Sequence, residues 1–146
     1  MIALFLVDNS VTQRLAQPIV RTAWERLLDE GEIASCLPNA LEAGYSARNA
    51  ADHARIVGFE TQAKVMLPPT AEIGRIALEL QSGLFAAGKG RTVGVSDLQI
   101  AATAIHYSAA LGRPVTVVHY DADFDQLAGL SSGLSARWIV ARGLIP

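Results

Sequence analysis

Short apolar runs alternate along the chain with longer stretches in which apolar residues recur every three to four positions. Residues 3–7 form an uninterrupted apolar run of strand length, which predicts a strand buried on both faces. Similar runs predict strands at residues 33–37, 115–118 and 138–140, and the stretches between them have helical periodicity. Strands separated by helices indicate crossover connections. The pattern therefore predicts an α/β fold with three layers, in which helices flank a mostly parallel sheet.

Proline, glycine and small polar residues mark the predicted helix ends. Four of them are suited to open a helix, namely Pro18, Pro38, Asn49 and Thr70. The central helix is expected to begin with a capping box, in which Ser96 caps the first turn and Gln99 lies three residues on. Gly112 ends that helix, and Pro114 prevents it from restarting. Residues 66–69 end in two prolines and are predicted to be non-helical.

Composition places the chain among globular proteins. Its 146 residues are 51% hydrophobic, and we expect one domain spanning residues 1–146. Each apolar run is too short to cross a bilayer, and no basic region precedes the first one, so neither a membrane span nor a signal peptide is expected. The single cysteine, Cys36, fits a reducing cytoplasm. A net charge of −2 gives no general argument for nucleic-acid binding.

Acidic residues occur where the predicted elements begin and end. Asp8 follows the first strand, Glu42 lies on the helix after the second strand, Asp97 opens the central helix, and Asp121 and Asp123 follow the next strand. Carboxylates gathered at one edge of a sheet repel one another, and a divalent cation with oxygen ligands relieves that repulsion. Such an ion activates water and offsets charge on a phosphoryl oxygen, so the pattern predicts metal-assisted phosphodiester hydrolysis.

Each acid also has an ordinary structural interpretation. Asp8 can cap the helix that follows it, and Asp97 is a favourable charge in a first helical turn. Glu42 can be a solvated side chain on a helix, and Asp121 and Asp123 can be ordinary loop acids. Only the combined spacing of these residues favours a shared site.

Four stretches resemble the PIN-domain family, and closely the VapC toxins of bacterial VapBC toxin–antitoxin systems. They occur in the family's order and span nearly the full length of the chain. The stretches are residues 4–10 (LFLVDNS), 41–48 (LEAGYSAR), 96–104 (SDLQIAATA) and 118–125 (VHYDADFD).

The resemblance implies a Mg²⁺- or Mn²⁺-dependent endoribonuclease, usually a homodimer, that a cognate VapB-like antitoxin holds inactive. The family's first three acids fall on Asp8, Glu42 and Asp97. Its fourth acid falls on the stretch containing Asp121 and Asp123, and we expect both to contribute. By this resemblance Asp8, Asp97 and Asp121 or Asp123 hold the metal, and Glu42 completes the carboxylate cluster directly or through water.

Residues outside the acidic cluster have weaker assignments. Ser10 matches a small polar residue that relatives carry near the first acid, where it orients a water or a carboxylate or caps a helix. Relatives often carry Thr-Arg or Thr-His where this chain has His119-Tyr120. Basic residues are the candidate contacts for RNA phosphates, and these are Arg48, Lys89, Arg91 and Arg113.

Other functions fit the sequence less well. A receiver domain of a signalling protein needs an acidic pair after the first strand and a lysine after a late strand, and both are missing. The loop at residues 88–92 lacks the spacing of a phosphate-binding P-loop, and the three histidines have no zinc-ligand spacing. A catalytically inactive PIN-like binding module is the remaining alternative.

Overall fold

The computed structural model describes residues 2–146, which form a five-stranded sheet with helices packed on both faces. The strands are β1 (Ala3–Val7), β2 (Gly31–Cys36), β3 (Val65–Leu67), β4 (Val115–His119) and β5 (Ser135–Trp138). Their order across the sheet is β3-β2-β1-β4-β5, and every neighbouring pair is parallel. The predicted three-layer α/β fold is therefore confirmed, with a sheet that is parallel throughout.

Within the described residues, seven helices connect these strands. They are α1 (Asn9–Thr12), α2 (Pro18–Glu30), α3 (Leu37–Tyr45), α4 (Ala50–Gln62), α5 (Ala71–Ala86), α6 (Val95–Leu111) and α7 (Asp123–Leu130). The expected caps of α4 and α5 are confirmed, because the side chains of Asn49 and Thr70 accept hydrogen bonds from backbone amides in the first turns. Gly112 ends α6 with a φ of 64°, the left-handed conformation that glycine adopts most easily.

Strand β1 is the centre of the core. Leu4 and Leu6 face one side of the sheet, in a cluster that includes residues of α5 and α6. Phe5 and Val7 face the other side, in a cluster that includes residues of α2. These four side chains are almost fully buried, as the continuous apolar run predicts for a strand covered on both faces.

Several predicted details are wrong. The capping box at Ser96 does not form, because α6 already begins at Val95 and its N-cap is Gly94. The last strand lies at residues 135–138 rather than 138–140. The sequence pattern also misses β3, whose three residues are too few to show a periodicity. That short strand is held by pairing with residues 34–36 of β2 rather than by its own propensity.

A buried ion pair joins α4 to the sheet. The ammonium group of Lys64 lies 2.7 Å from Glu60 Oε1, and the hydroxyl of Ser35 on β2 donates to Glu60 Oε2 at 2.6 Å. Phe59 and Trp24 place their rings near the same ammonium group, at 4.9 and 5.8 Å. Because its carboxylate and ammonium are both bonded, the pair is tolerated in an apolar setting.

No helix within residues 2–146 has the length and apolar character needed to cross a membrane.

Candidate metal centre

The parallel pairing of β1 with β4 brings distant acids to one edge of the sheet. Val7 and Val118 are paired in register, and the backbone amide of Asp8 donates to Val118 O at 2.9 Å. Asp121 follows the end of β4 by two residues. Asp97 lies in the first turn of α6. Carboxylates separated by more than one hundred positions in the sequence therefore meet at the carboxyl ends of neighbouring strands.

Three carboxylates form a compact cluster. Asp97, Asp121 and Asp123 each offer an oxygen, and these oxygens all lie within 4.8 Å of one another. Asp121 Oδ1 also accepts the backbone amide of Asp123 at 3.0 Å, which fixes the turn leading into α7. The cluster is half-buried. It contains both candidates for the fourth acid, so the fold does not choose between Asp121 and Asp123.

The electrostatics of the cluster match this crowding. Burial, together with the charges of Asp8 and Asp121, raises the pKa of Asp97 to about 8. Burial likewise raises the pKa of Asp123, with a contribution from Asp121, while a hydrogen bond with Asp97 opposes the shift. Ionisation of one of these acids is therefore unfavourable when a neighbouring acid is already ionised.

Asp8 has both of the roles considered for it. Its Oδ2 accepts the backbone amide of Ser10 at 3.0 Å, so it is the N-cap of α1. Its Oδ1 is buried and has no hydrogen-bond partner within residues 2–146. Burial raises the pKa of Asp8, and the charges of Glu42 and Asp121 add to that effect. Asp8 does not belong to the group of three oxygens. Its own Oδ1, which is buried and unpaired, is nevertheless available as a metal ligand.

Glu42 is exposed on α3 and is oriented by a hydrogen-bond network. The side-chain amide of Asn9 donates to Glu42 Oε2 at 3.3 Å and to the backbone carbonyl of Asn39 at 3.2 Å. The amide of Asn39 in turn donates to Val7 O at 2.9 Å. The charge of Glu42 raises the pKa of both Asp8 and Asp97, so it lies in the same electrostatic field.

Asn39 is not among the residues that the sequence pattern predicts for this site. Its side chain is fully buried at the start of α3, where it connects the end of β1 to the network of Asn9. Its only sequence signal is its place directly after Pro38, at the start of a predicted helix, which many ordinary asparagines share. The network depends on the packing of α3 against α1 and β1, which local sequence does not encode.

Ser10 and His119 hold the loops that carry the acids. Ser10 Oγ accepts the backbone amide of Tyr120 at 2.9 Å, which ties α1 to the end of β4. His119 is fully buried, and its Nδ1 accepts the backbone amide of Asp121 at 3.2 Å. Burial lowers the pKa of His119, which keeps the ring neutral and able to accept this bond. Both residues therefore support the backbone around Asp121.

The four predicted phosphate contacts lie in different places. Lys89 and Arg91 are exposed in the loop before α6, at the end of that helix where Asp97 lies. Arg48 is exposed after α3 and forms an ion pair with Asp52 at 3.6 Å. Arg113 precedes β4 and donates to Ile2 O, so it lies at the opposite edge of the sheet. Arg113 is therefore remote from the carboxylate cluster.

The donor set of this site fits a divalent cation that prefers oxygen ligands. All of the clustered side chains offer carboxylate oxygens, and one buried oxygen of Asp8 is unpaired within the described residues. The raised pKa of Asp97 and Asp123 shows that the folded chain alone does not compensate these charges. The acidic cluster is thus one that could bind a metal ion.

Comparison with known proteins gives consistent matches. The sequence profile of the PIN domain matches residues 4–130. The chain is 38% identical over 141 residues to Ribonuclease VapC51 of Mycobacterium tuberculosis, an alignment that covers 97% of this chain and 96% of that protein. It is 33% identical over 139 residues to Ribonuclease VapC21 of the same species, covering 95% of this chain and 96% of that protein.

Solved structures share the fold at low sequence identity. The crystal structure of VapBC2 from Rickettsia felis, bound to a DNA fragment from its promoter, matches with a TM-score of 0.70 and 15% identity. The match covers 92% of this chain and 98% of that chain. VapBC-1 from nontypeable Haemophilus influenzae also matches with a TM-score of 0.70, covering 93% and 98%. Profile, relatives and fold agree, and the chain belongs to the PIN-domain family.

Proposed function

We propose that this protein is the toxin of a VapBC-type toxin–antitoxin system and a Mg²⁺-dependent endoribonuclease. The observation that carries the proposal is the group of three carboxylate oxygens, from Asp97, Asp121 and Asp123, within 4.8 Å of one another. The names of the relatives, which are ribonucleases, support RNA as the substrate. Single-domain organisation over residues 1–146 belongs to the same proposal.

Asp97, Asp121 and Asp123 would hold the cation, and the unpaired Oδ1 of Asp8 would be a further ligand. When bound, the cation lowers the pKa of water and offsets the charge that develops on the phosphoryl oxygen. Glu42, oriented by Asn9, would complete the carboxylate cluster at its exposed side, directly or through water.

The remaining residues of the site keep its geometry fixed. The Asp8 cap and the bond from Tyr120 to Ser10 join β1, α1 and the end of β4, so the acids do not rearrange freely. Because three carboxyl groups are already held close together, a cation is bound without a large change of structure, and such preorganisation favours catalysis. Mn²⁺ takes similar oxygen ligands and is expected to replace Mg²⁺.

The test is cleavage of RNA by the purified protein, which EDTA should abolish and Mg²⁺ should restore. Asp97→Asn should remove the activity and leave the circular dichroism spectrum unchanged. Asp29→Asn, a matched change at an exposed acid of α2, should cleave like the wild type. Full activity of Asp97→Asn would refute the proposed site, and RNA binding without any metal-dependent cleavage would favour an inactive PIN-like module.

The partner proposals follow from the relatives. The matched structures are VapBC complexes, which supports a VapB-like antitoxin as the partner of this chain. We also propose a homodimer, because α5 leaves Leu78 and Phe85 exposed at 69% and 59%. Sedimentation equilibrium of the protein alone tests the dimer. Co-expression with the product of an adjacent reading frame, followed by growth and cleavage assays, tests neutralisation.

A further inference from the structure

A second cavity opens beside the acidic cluster and differs from it in charge. Its volume is about 570 Å³, and Asp121 belongs to its lining as well as to the cluster. The other main lining residues are basic or aromatic: Arg14, Arg142, Tyr120 and Trp138. A ligand that reaches the carboxylates can therefore extend directly into a cationic and aromatic cavity.

The two arginines of the cavity are available to an anion in different ways. The guanidinium of Arg14 donates to Ser10 O at 2.7 Å and lies 4.9 Å from the ring centre of Tyr120, so its position is fixed. Arg142 is exposed, and it forms no ion pair or side-chain hydrogen bond within residues 2–146. Its guanidinium lies 5.8 Å from the ring centre of Trp138.

Two side chains anchor the segment that carries Arg142. The Nε of Arg14 donates to Pro146 O at 3.0 Å, and Tyr120 makes the other bonds. The hydroxyl of Tyr120 donates to Ile145 O at 2.7 Å and accepts the backbone amides of Gly143 and Ile145 at 3.0 and 3.2 Å. Gly143 takes a φ of 83°, a turn that glycine forms without strain. These bonds hold the wall of the cavity in place and give Tyr120 a structural role.

Trp138 supplies a rigid aromatic surface in the same cavity. Its indole nitrogen donates to the carboxylate of Asp125 at 3.1 Å, and its ring packs against His119 and the edge of Tyr120. The ring is half-buried, so part of it remains open to the cavity. Guanidinium groups bind phosphates, and aromatic faces stack with bases, a combination typical of sites for single-stranded nucleic acid.

We propose that this cavity binds the nucleotide next to the cleaved bond, with its phosphate at Arg14 and Arg142 and its base against Trp138. This inference rests on the proposed ribonuclease function, because RNA is then the ligand that reaches Asp121. A basic peptide segment that blocks the acidic cluster would be repelled by the two arginines. The charge of the cavity therefore favours the RNA chain over an inhibitory peptide as its occupant.

The test measures binding of a fluorescent single-stranded oligoribonucleotide in EDTA, where cleavage is excluded, over a range of salt concentrations. Arg142→Gln should weaken binding roughly fivefold at low salt, the upper end for an exposed charge contact. It should also reduce the slope of log affinity against log salt by about 0.7, the value for one phosphate of a single strand. Arg26→Gln, at an exposed arginine on α2, is the matched control and should change neither quantity.

Trp138 offers an independent readout. The chain has two tryptophans, so Trp24→Phe leaves Trp138 as the only indole, and the oligoribonucleotide should quench its fluorescence. Poly-L-glutamate at the same charge concentration serves as the competing peptide anion and should neither quench the signal nor displace the RNA. This comparison separates a nucleotide site from a general anion site.

Three results would overturn the inference: no binding by the wild type at low salt, equal behaviour of Arg142→Gln and Arg26→Gln, or displacement of the RNA by poly-L-glutamate. The ribonuclease proposal can fail while the cavity proposal stands. This is the outcome if the wild type does not cleave RNA with Mg²⁺, but Arg142→Gln still weakens RNA binding and lowers the salt slope.

Discussion

Asp97→Asn should stabilise the metal-free protein at alkaline pH while it removes catalysis. The fold raises the pKa of Asp97 from 3.8 to about 8, chiefly by burial and then by the charges of neighbouring acids. At 1.36 kcal/mol per pH unit this corresponds to at most about 6 kcal/mol. Because the side chain is only half-buried, solvent screening reduces the expected effect to about 2 to 3 kcal/mol.

The sign of the effect follows from the two states of the chain. Above pH 3.8 the unfolded chain ionises Asp97, whereas the folded protein keeps it protonated until the pH approaches about 8. The folded state therefore binds more protons in this range, and its stability falls as the pH rises. This loss of stability is complete above the pKa of Asp97 in the folded protein and absent below its pKa in the unfolded chain. Asparagine carries no charge at either pH and escapes the penalty.

Urea unfolding in EDTA measures the effect. The free energy of unfolding of Asp97→Asn should exceed that of the wild type by about 2 to 3 kcal/mol near pH 9, and by about 1 kcal/mol or less near pH 5. Mg²⁺ should stabilise the wild type at the higher pH and have little effect on the variant. The free energy of unfolding of Asp29→Asn, at an exposed position, should stay within about 0.5 kcal/mol of the wild-type value at every pH. A variant no more stable than the wild type near pH 9 would refute the reasoning.

Three further changes probe the site and its support. Asp8→Asn can keep the cap on α1 through its amide oxygen, so the protein should fold, but its affinity for Mn²⁺ by calorimetry should fall by at least about tenfold. Lys64→Met leaves the Glu60 carboxylate buried without its partner and should cost about 3 to 5 kcal/mol in urea unfolding. Gly31→Ala would place a Cβ in a steric clash with the backbone oxygen of Ala3 and should cost about 1 to 3 kcal/mol in the same assay.

Each of these three predictions has a matched control variant or an outcome that would contradict it. Unchanged Mn²⁺ affinity in Asp8→Asn would remove Asp8 from the proposed ligands. The double change Glu60→Leu with Lys64→Met should recover most of the stability lost by Lys64→Met, since no buried charge remains. Gly58→Ala, at a helical glycine whose added Cβ meets nothing within 4 Å, should not destabilise the protein as Gly31→Ala does.

Local sequence determined the elements whose signals are local. The buried run of β1, the caps at Asn49 and Thr70 and the glycine that ends α6 depend on side chains within a few residues. The crossover pattern also fixed a parallel sheet, because strands separated by helices return in the same direction. From these elements alone, acids could be expected to meet at the carboxyl edge.

The sequence also led to two wrong assignments and missed one strand. Its capping box at Ser96 was wrong because the helix begins at Val95, and its N-cap is Gly94, two residues before Ser96. It missed β3, which exists only because β2 offers a partner edge. It grouped Arg113 with the phosphate contacts, although the strand direction carries that residue to the opposite edge. The order of the chain already separates Arg113 from Asp121, because Arg113 precedes β4 and Asp121 follows it.

Sequence alone named the five acids and their family, since these depend on residue identity and order. Only the tertiary structure decided which oxygens come together: Asp121 and Asp123 both join Asp97, while Asp8 stands beside them with one oxygen unpaired. It also decided that a cationic cavity shares Asp121 with that cluster. The physical reason is that distances between side chains remote in sequence are set by strand register and helix packing, which the whole chain determines together.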